Sequence, residues 1–255
     1  MRFASLASGS EGNALIVECR NTRIMLDCGL GLKETVTRLG RISLSPEDLS
    51  GILVTHEHED HASGVVRFAR KFDLPVWLTY GTFRENEAAY SSLPEIVLLE
   101  GCQRFGVGDM EIEPFPVPHD AREPVQFVFG DGARRLGVIT DAGSSTPHIE
   151  ATLSGCHALV LECNHDAGML ARSAYPPVLI KRISGRFGHL DNESASKLLA
   201  SLDQSRLQHV IAAHLSRKNN TPLLARNALC KAMGCGEEWI GIACQDEGFS
   251  WRHIA

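Results

Sequence analysis

Four side chains that can bind a metal ion lie within six consecutive positions of this sequence: His56, His58, Asp60 and His61. They follow the apolar run 51–54, which predicts a buried strand, and they precede 62–72, whose apolar stripe predicts a helix. We therefore expect the cluster in the turn between the end of a strand and the start of a helix.

The spacing of these side chains suits two metal ions. In an extended turn His56 and His58 point to the same side, whereas Asp60 and His61 begin the next element and point elsewhere. One ion would take the two imidazoles, and a second would take the carboxylate and the third imidazole. Such donors suit zinc, manganese or iron. From these residues alone, the alternative is a charged, solvated turn that binds no metal.

The sequence predicts strands along the whole chain and helices between some of them. The apolar patterns predict helices at 32–39, 62–72, 81–90, from 191 or 192 to 202, and 222–232. They predict strands at 3–6, 13–18, 23–27, 51–54, 75–79, 96–99, 110–116, 126–129, 135–139, 158–161, 209–213, 239–243 and 249–253, the last two as a closing pair. Both helices and strands are therefore expected, as in an α/β protein.

Further candidate residues stand where predicted strands end. His119 follows a strand stiffened by two prolines, Asp141 follows 135–139, and His214 follows 209–213. Asp27 ends the strand 23–27 and precedes Cys28-Gly29. Its carboxylate could orient a metal-bound histidine, or it could be a plain turn residue; the sequence leaves both open.

The bulk composition is that of a globular enzyme. The chain has 255 residues, of which 44% are hydrophobic and 22% charged, and we expect one domain over residues 1–255. The net charge of −6 means that any nucleic-acid binding needs a local basic surface. No signal-peptide pattern and no apolar run of about 20 residues occurs, so we expect a cytoplasmic protein without a membrane span.

The motif H-x-H-x-D-H at positions 56–61 resembles that of the metallo-β-lactamase fold superfamily. Four segments, together with the loop 8–13, are similar to the bacterial YycJ (WalJ) group within it: 117–121, 162–166, 188–192 and 214–222. The resemblance covers residues 5 to about 222. It implies a four-layer αββα sandwich and a phosphodiesterase related to the RNase J and RNase Z nucleases. The expected activity is 5′-exonuclease cleavage of DNA, with RNA a further possible substrate.

The resemblance also implies two divalent ions, zinc or manganese, and assigns their ligands. The first ion would be held by His56, His58, His119 and Asp141. The second would be held by Asp60, His61, Asp141 and His214, with the carboxylate of Asp141 shared because it has two oxygens. Such ions lower the pKa of a bridging water and polarise a phosphate oxygen. The expected catalytic residues are Asp60, Glu162 and His189. His189 would approach the scissile phosphate, and Glu162 would orient the His189 ring.

Basic residues near two of these histidines predict contacts with the substrate. Lys181, Arg182 and Arg186 precede His189, and Arg217 with Lys218 follows His214. These cations would form a groove that tracks phosphates; the alternative is a set of scattered solvated charges. Ser216 and Asn219, in the shared segment 214–222, are further expected contacts. His165 could contact substrate or be structural.

Two other functions are compatible with the same pattern, because a fold does not determine its substrate. One is a small-molecule metallohydrolase such as a lactonase, thioesterase or β-lactamase, which would need an apolar pocket. The other is a metal-stabilised regulatory protein without catalysis. The intact set of candidate ligands favours an enzyme over the second alternative.

Overall fold

The computed structural model describes residues 1–255, and its strands form two seven-stranded sheets. The first sheet has the order β14-β1-β2-β3-β4-β5-β6, with strands β1 (Arg2–Ala7), β2 (Ala14–Cys19), β3 (Thr22–Leu26), β4 (Gly51–Leu53), β5 (Val76–Thr79), β6 (Ile96–Leu99) and β14 (Phe249–His253). The second has the order β13-β12-β11-β10-β9-β8-β7, with strands β7 (Phe105–Val107), β8 (Met110–Pro116), β9 (Val125–Gly130), β10 (Arg135–Ile139), β11 (Ala158–Glu162), β12 (His209–Ala213) and β13 (Ile240–Ile242).

Helices cover the outer faces of both sheets. The helices are α1 (Leu32–Arg41), α2 (Glu59–Ala62), α3 (Val65–Phe72), α4 (Tyr80–Glu85), α5 (Glu87–Tyr90), α6 (Pro147–Leu153), α7 (Ala167–Ala171), α8 (Pro177–Ile183), α9 (Asn192–Ser201) and α10 (Pro222–Met233). Two short 3₁₀ helices, Pro46–Asp48 and Glu237–Trp239, complete the set. No helix is both long and apolar enough to cross a bilayer.

Three apolar cores separate the four layers. Phe3, Phe127 and Ile211 belong to the core between the sheets. A second core joins the first sheet to α1 and α3, and a third joins the second sheet to α6, α9 and α10. The predicted αββα sandwich is therefore confirmed.

Parallel strands bring most of the candidate residues, although not His119, to the carboxyl ends of the strands in each sheet. β3 and β4 are parallel in the first sheet, and β10, β11 and β12 are parallel in the second. The chain turns after these strands through residues in the left-handed backbone conformation. They are Asp27 (φ 60°), Asp141 (φ 54°) and His214 (φ 56°). Such conformations are uncommon outside glycine, although Asp and His adopt them more readily than most residues.

Three predicted elements were wrong in detail. The expected helix 81–90 is divided at Asn86 into α4 and α5. The expected helix 62–72 is divided into α2 and α3 at Gly64, where an added Cβ would lie 2.1 Å from the carbonyl oxygen of Leu30. The expected closing pair is also divided, since β13 joins β12 in the second sheet and β14 joins β1 in the first. Short helices α6, α7 and α8 and strand β7 were not predicted, because their apolar patterns are brief.

Candidate metal centre

Three histidines from two loops form the first group of possible ligands. His56, His58 and His119 bring ring nitrogens within 4.8 Å of one another. The Nδ1 atom of His119 lies 3.1 Å from the carbonyl oxygen of Gly188. Because that oxygen can only accept, Nδ1 donates the hydrogen bond, and Nε2 of the neutral ring keeps a free lone pair. That Nε2 lies 3.2 Å from His58 Nδ1. His56 Nδ1 lies 2.9 Å from the hydroxyl of Thr55, so its other ring nitrogen, Nε2, is left for the centre.

The second group contains two carboxylates and two histidines. His61 Nε2 lies 3.1 Å from Asp141 Oδ2 and 3.4 Å from Asp60 Oδ2. His214 Nε2 lies 3.3 Å from Asp60 Oδ2 and 3.6 Å from Asp141 Oδ1. The same Oδ1 is 3.9 Å from His119 Nε2 of the first group. The carboxylate of Asp141 therefore lies between the two groups.

Asp27 orients one of these histidines. His61 Nδ1 donates to Asp27 Oδ2 at 2.7 Å, and the backbone N–H and hydroxyl of Thr55 also donate to this carboxylate. Because Nδ1 is occupied, Nε2 of His61 is left for the centre. Asp27 therefore has both of the roles that the sequence left open. Its carboxylate orients a histidine, and its backbone makes a left-handed turn.

Glu162 has the same relation to two other histidines. Its Oε1 accepts from His189 Nδ1 at 2.8 Å and from His214 Nδ1 at 3.2 Å. Its Oε2 accepts from the backbone N–H groups of Ala142 and Leu190. Full burial would raise the pKa of Glu162, but His189 and His214 outweigh that effect and bring it down to about 2. The carboxylate is therefore ionised and fixes both rings.

The donor atoms fit divalent cations. His56 Nε2 and Asp141 Oδ2 are buried and have no hydrogen-bond partner, an arrangement that costs roughly 1–3 kcal/mol per atom unless something binds them. Burial would lower the pKa of His214, but Asp141, Asp60 and Glu162 raise it to about 10. The three carboxylates therefore create a potential that favours cations. Imidazole nitrogens with carboxylate oxygens are the ligands of zinc and manganese.

The centre lies at the base of an open cleft of about 370 Å³. Only three of its fifteen lining residues are hydrophobic: Tyr175, Leu179 and Ile183. His58, Asp60, Asp141, His189 and His214 face it. A polar, open cleft suits a charged substrate better than the apolar pocket expected of a small-molecule hydrolase.

Comparison with known proteins agrees with this geometry. A family model described as a beta-lactamase superfamily domain matches residues 22–214. The chain is also 37% identical over 246 residues to exodeoxyribonuclease YycJ of Bacillus anthracis, covering 93% of this chain and 92% of that protein. The chain belongs to the YycJ/WalJ family of the β-lactamase superfamily.

Two further comparisons support the family and the fold. Exodeoxyribonuclease WalJ of Streptococcus pneumoniae is 30% identical over 247 residues, which cover 94% of this chain and 91% of WalJ. The crystal structure of YhfI from Bacillus subtilis superposes with a TM-score of 0.76 at 14% identity, over 99% of both chains. The predicted family is thus confirmed, and this YycJ/WalJ family member is a metallohydrolase.

The predicted substrate contacts of this family member fall in different places. Arg182 and Ser216 line the cleft, and Arg182 Nε pairs with Asp120 at 2.5 Å. Lys181 and Arg186 are exposed outside it, with the Arg186 guanidinium 4.9 Å from the ring centroid of Phe187. Asn219 is buried and lines a neighbouring cavity. Of the five basic residues, only Arg182 lines the cleft of the metal centre.

His165 does not line the cleft. Its ring is buried, and Nδ1 lies 3.2 Å from Asn164 Oδ1. Its carbonyl oxygen accepts from Asn192 at the start of α9. Of the two roles left open for His165, the structure therefore favours the structural one.

Two polar residues of the first loop approach the centre and were not singled out from the sequence. Asn13 Nδ2 lies 3.1 Å from His61 Nε2 and 3.3 Å from Asp60 Oδ2. The hydroxyl of Ser8 accepts from the backbone N–H of His214 at 2.8 Å. Gly9 and Gly12 in this loop permit close backbone approach, but glycine alone does not indicate which residue is approached.

Proposed function

We propose that this protein is an exonuclease that hydrolyses DNA from the 5′ end with the help of two divalent ions. The observation that carries the proposal is the pair of ligand groups on either side of Asp141, next to a histidine held by Glu162. The similarity to relatives named exodeoxyribonuclease, over more than nine-tenths of the chain, supports DNA as the substrate.

Each of the two ions would have four donors. His56, His58, His119 and Asp141 would hold the first, and Asp60, His61, Asp141 and His214 would hold the second. Zinc and manganese both suit these donors. When bound, such a pair lowers the pKa of a water and neutralises charge on a phosphate oxygen.

The protein's own side chains supply orientation and a proton donor. Because Glu162 occupies Nδ1 of His189, the other nitrogen, Nε2, is the one that can serve the cleft. Burial would lower the pKa of His189, but Glu162 and Asp141 outweigh that effect and raise it above its usual range, which favours the imidazolium with a second N–H at Nε2. That N–H donates a hydrogen bond to a non-bridging phosphate oxygen or protonates the leaving oxygen. Asp27 and Glu162 fix the imidazoles of His61 and His214, and Asp60 lies where the cleft meets the second group.

Arg182 and Ser216 are the proposed contacts with the phosphodiester beside the scissile bond. Both line the cleft together with His189. The pairing of Arg182 with Asp120 leaves a guanidinium whose remaining N–H groups can reach a phosphate. Lys181, Arg186 and Asn219 would act at a greater distance along the strand.

The proposal is tested with protein loaded with manganese or with zinc. End-labelled DNA and RNA are incubated beside a lactone and a β-lactam, and the product lengths are followed over time. We expect mononucleotides to be released from the 5′ end of DNA, and His58→Ala to abolish this release while the protein stays folded. Turnover of the lactone without nucleotide release, or faster cleavage of RNA than of DNA, would overturn the assignment.

A further inference from the structure

A second cavity adjoins the cleft of the metal centre. It has a volume of about 480 Å³ and is lined by Met169, Arg172, Ser173, Ala174, Tyr175, Lys218 and Asn219. Tyr175 lines both this cavity and the cleft, so the two spaces meet at its side chain. We call this second space the basic cavity.

The charge of the basic cavity differs from that of the cleft. Arg172 and Lys218 line it, and no acidic residue does. The cleft is lined by Glu59, Asp60, Asp120 and Asp141, where Arg182 is already paired. Because no acidic residue lines the basic cavity, its two cations attract phosphate more than the acidic lining of the cleft does.

One loop connects the two spaces. After β12 ends, His214 and Ser216 border the cleft, and Lys218 and Asn219 border the basic cavity. The loop is fixed to the start of α7. The N–H of Asp166 donates to the carbonyl oxygen of Asn219 at 2.8 Å, and the Asp166 side chain caps α7. These hydrogen bonds hold in place the part of the loop that borders the basic cavity.

Tyr175 lies where the cleft and the basic cavity meet. Lys218 Nζ lies 5.4 Å from the ring centroid, so the ring has a cation over one face at the entrance to the basic cavity. A half-buried aromatic ring beside a cation is an arrangement with which proteins hold single-stranded nucleic acid: a base stacks on the ring, and its phosphate meets the cation.

We propose that a nucleotide flanking the scissile phosphate stacks its base on Tyr175 and places its next phosphate between Arg172 and Lys218. This inference rests on the proposed nuclease function and adds a base-binding subsite to it. Because every base has an aromatic face, the subsite accepts all four bases. Tyr175 acts as a positioning residue that sets the strand in register with the metal centre.

The test compares Tyr175→Ala, Tyr175→Phe and Tyr175→Trp on single-stranded DNA and on a matched strand whose bases next to the cleavage site are absent. We expect Tyr175→Ala to raise KM on intact DNA about tenfold, with Phe and Trp close to the wild type. On the abasic strand the wild type and Tyr175→Ala should be alike. Tyr80→Ala removes an exposed tyrosine outside both cavities and should change neither KM.

The cations are tested through salt. Arg172→Ala and Lys218→Ala should each reduce by about one the slope of log affinity against log salt, whereas Lys231→Ala on α10 should not. The subsite alone is overturned if the wild type cleaves DNA and Tyr175→Ala has the same KM. It is also overturned if Tyr175→Ala raises KM equally on intact and on abasic DNA. Wild-type protein that neither binds nor cleaves DNA overturns the subsite together with the proposed function.

Discussion

At the scale of single residues, the centre depends on carboxylates that hold imidazoles as much as on the ligands themselves. Asp27 and Glu162 are buried, and each accepts a hydrogen bond from the Nδ1 N–H of at least one histidine. Such contacts select the ring tautomer and raise the basicity of the free nitrogen. Losing one should weaken metal binding although every ligand is still present.

Asp27→Asn tests this role. Asparagine tolerates the left-handed backbone at position 27, but it carries no charge to hold His61. We expect the affinity for zinc or manganese to fall about 10- to 100-fold, as measured by competition with a chelator. Asp73→Asn is the matched control, because Asp73 is also left-handed (φ 55°) but exposed at the end of α3. Equal affinities in the two variants would show that Asp27 serves only the turn.

Glu162→Gln should be harmful in either orientation of the new amide. Two backbone N–H groups point at Oε2 and two imidazoles point at Oε1, so an NH₂ group meets donors on both sides. We expect the free energy of unfolding to drop by roughly 1–3 kcal/mol, together with a large fall in kcat. Urea denaturation and steady-state kinetics measure the two effects. A variant with wild-type stability would contradict the assigned hydrogen bonds.

At the scale of elements, the break between α2 and α3 sets where the second ligand group lies. α2 has only four residues and carries Asp60 and His61, and its position is fixed by close backbone packing. The N–H of Gly64 donates to the carbonyl oxygen of Cys28, and the carbonyl oxygen of His61 accepts from Cys28. The loop after β3 thereby holds α2 against the first sheet.

Gly64→Ala should disturb this packing. The added Cβ would lie 2.1 Å from the carbonyl oxygen of Leu30 and 2.7 Å from that of Cys28, so backbone atoms must move. We expect the protein to lose about 1–3 kcal/mol of stability and to bind metal more weakly. Gly40→Ala in α1 meets no atom within 4 Å and should gain up to about 1 kcal/mol. Thermal unfolding of both variants is the measurement; the same sign for both would refute the steric argument.

At the scale of the whole molecule, the order of elements was largely accessible from the sequence. The ligand motif, the strand ends that carry His119, Asp141 and His214, and the layer arrangement all followed from local patterns and a family resemblance. The residues that approach from afar did not. Asn13 reaches His61 across 48 positions, and nothing in the local pattern of the first loop states which partner it meets.

The fate of the basic residues shows the same limit. Lys181, Arg182, Arg186, Arg217 and Lys218 look alike in the sequence, but their surroundings differ. Arg182 pairs with Asp120, Arg217 pairs with Asp246, and Lys218 lies over Tyr175. Whether a cation is free or neutralised depends on acidic residues brought near by folding, so a count of nearby basic residues could not predict the groove.

The two sheets should be linked through the metal ions. His56, His58, Asp60 and His61 follow β4 of the first sheet, whereas His119, Asp141 and His214 follow strands of the second. Ions held by both sets would bind only the folded chain. At a free metal concentration about 100 times Kd, one site then adds about 2.7 kcal/mol to the free energy of unfolding.

Removing the metal should therefore lower the melting temperature of the wild type. Differential scanning calorimetry with and without a chelator measures this shift, and metal analysis of the same samples confirms removal. Asp141→Asn is the comparison, because it takes away the carboxylate between the two groups and should leave a smaller response to the chelator. An unchanged melting temperature in metal-free wild type would mean that the sheets are held by their apolar core alone. The ions would then contribute chemistry without cross-linking the fold.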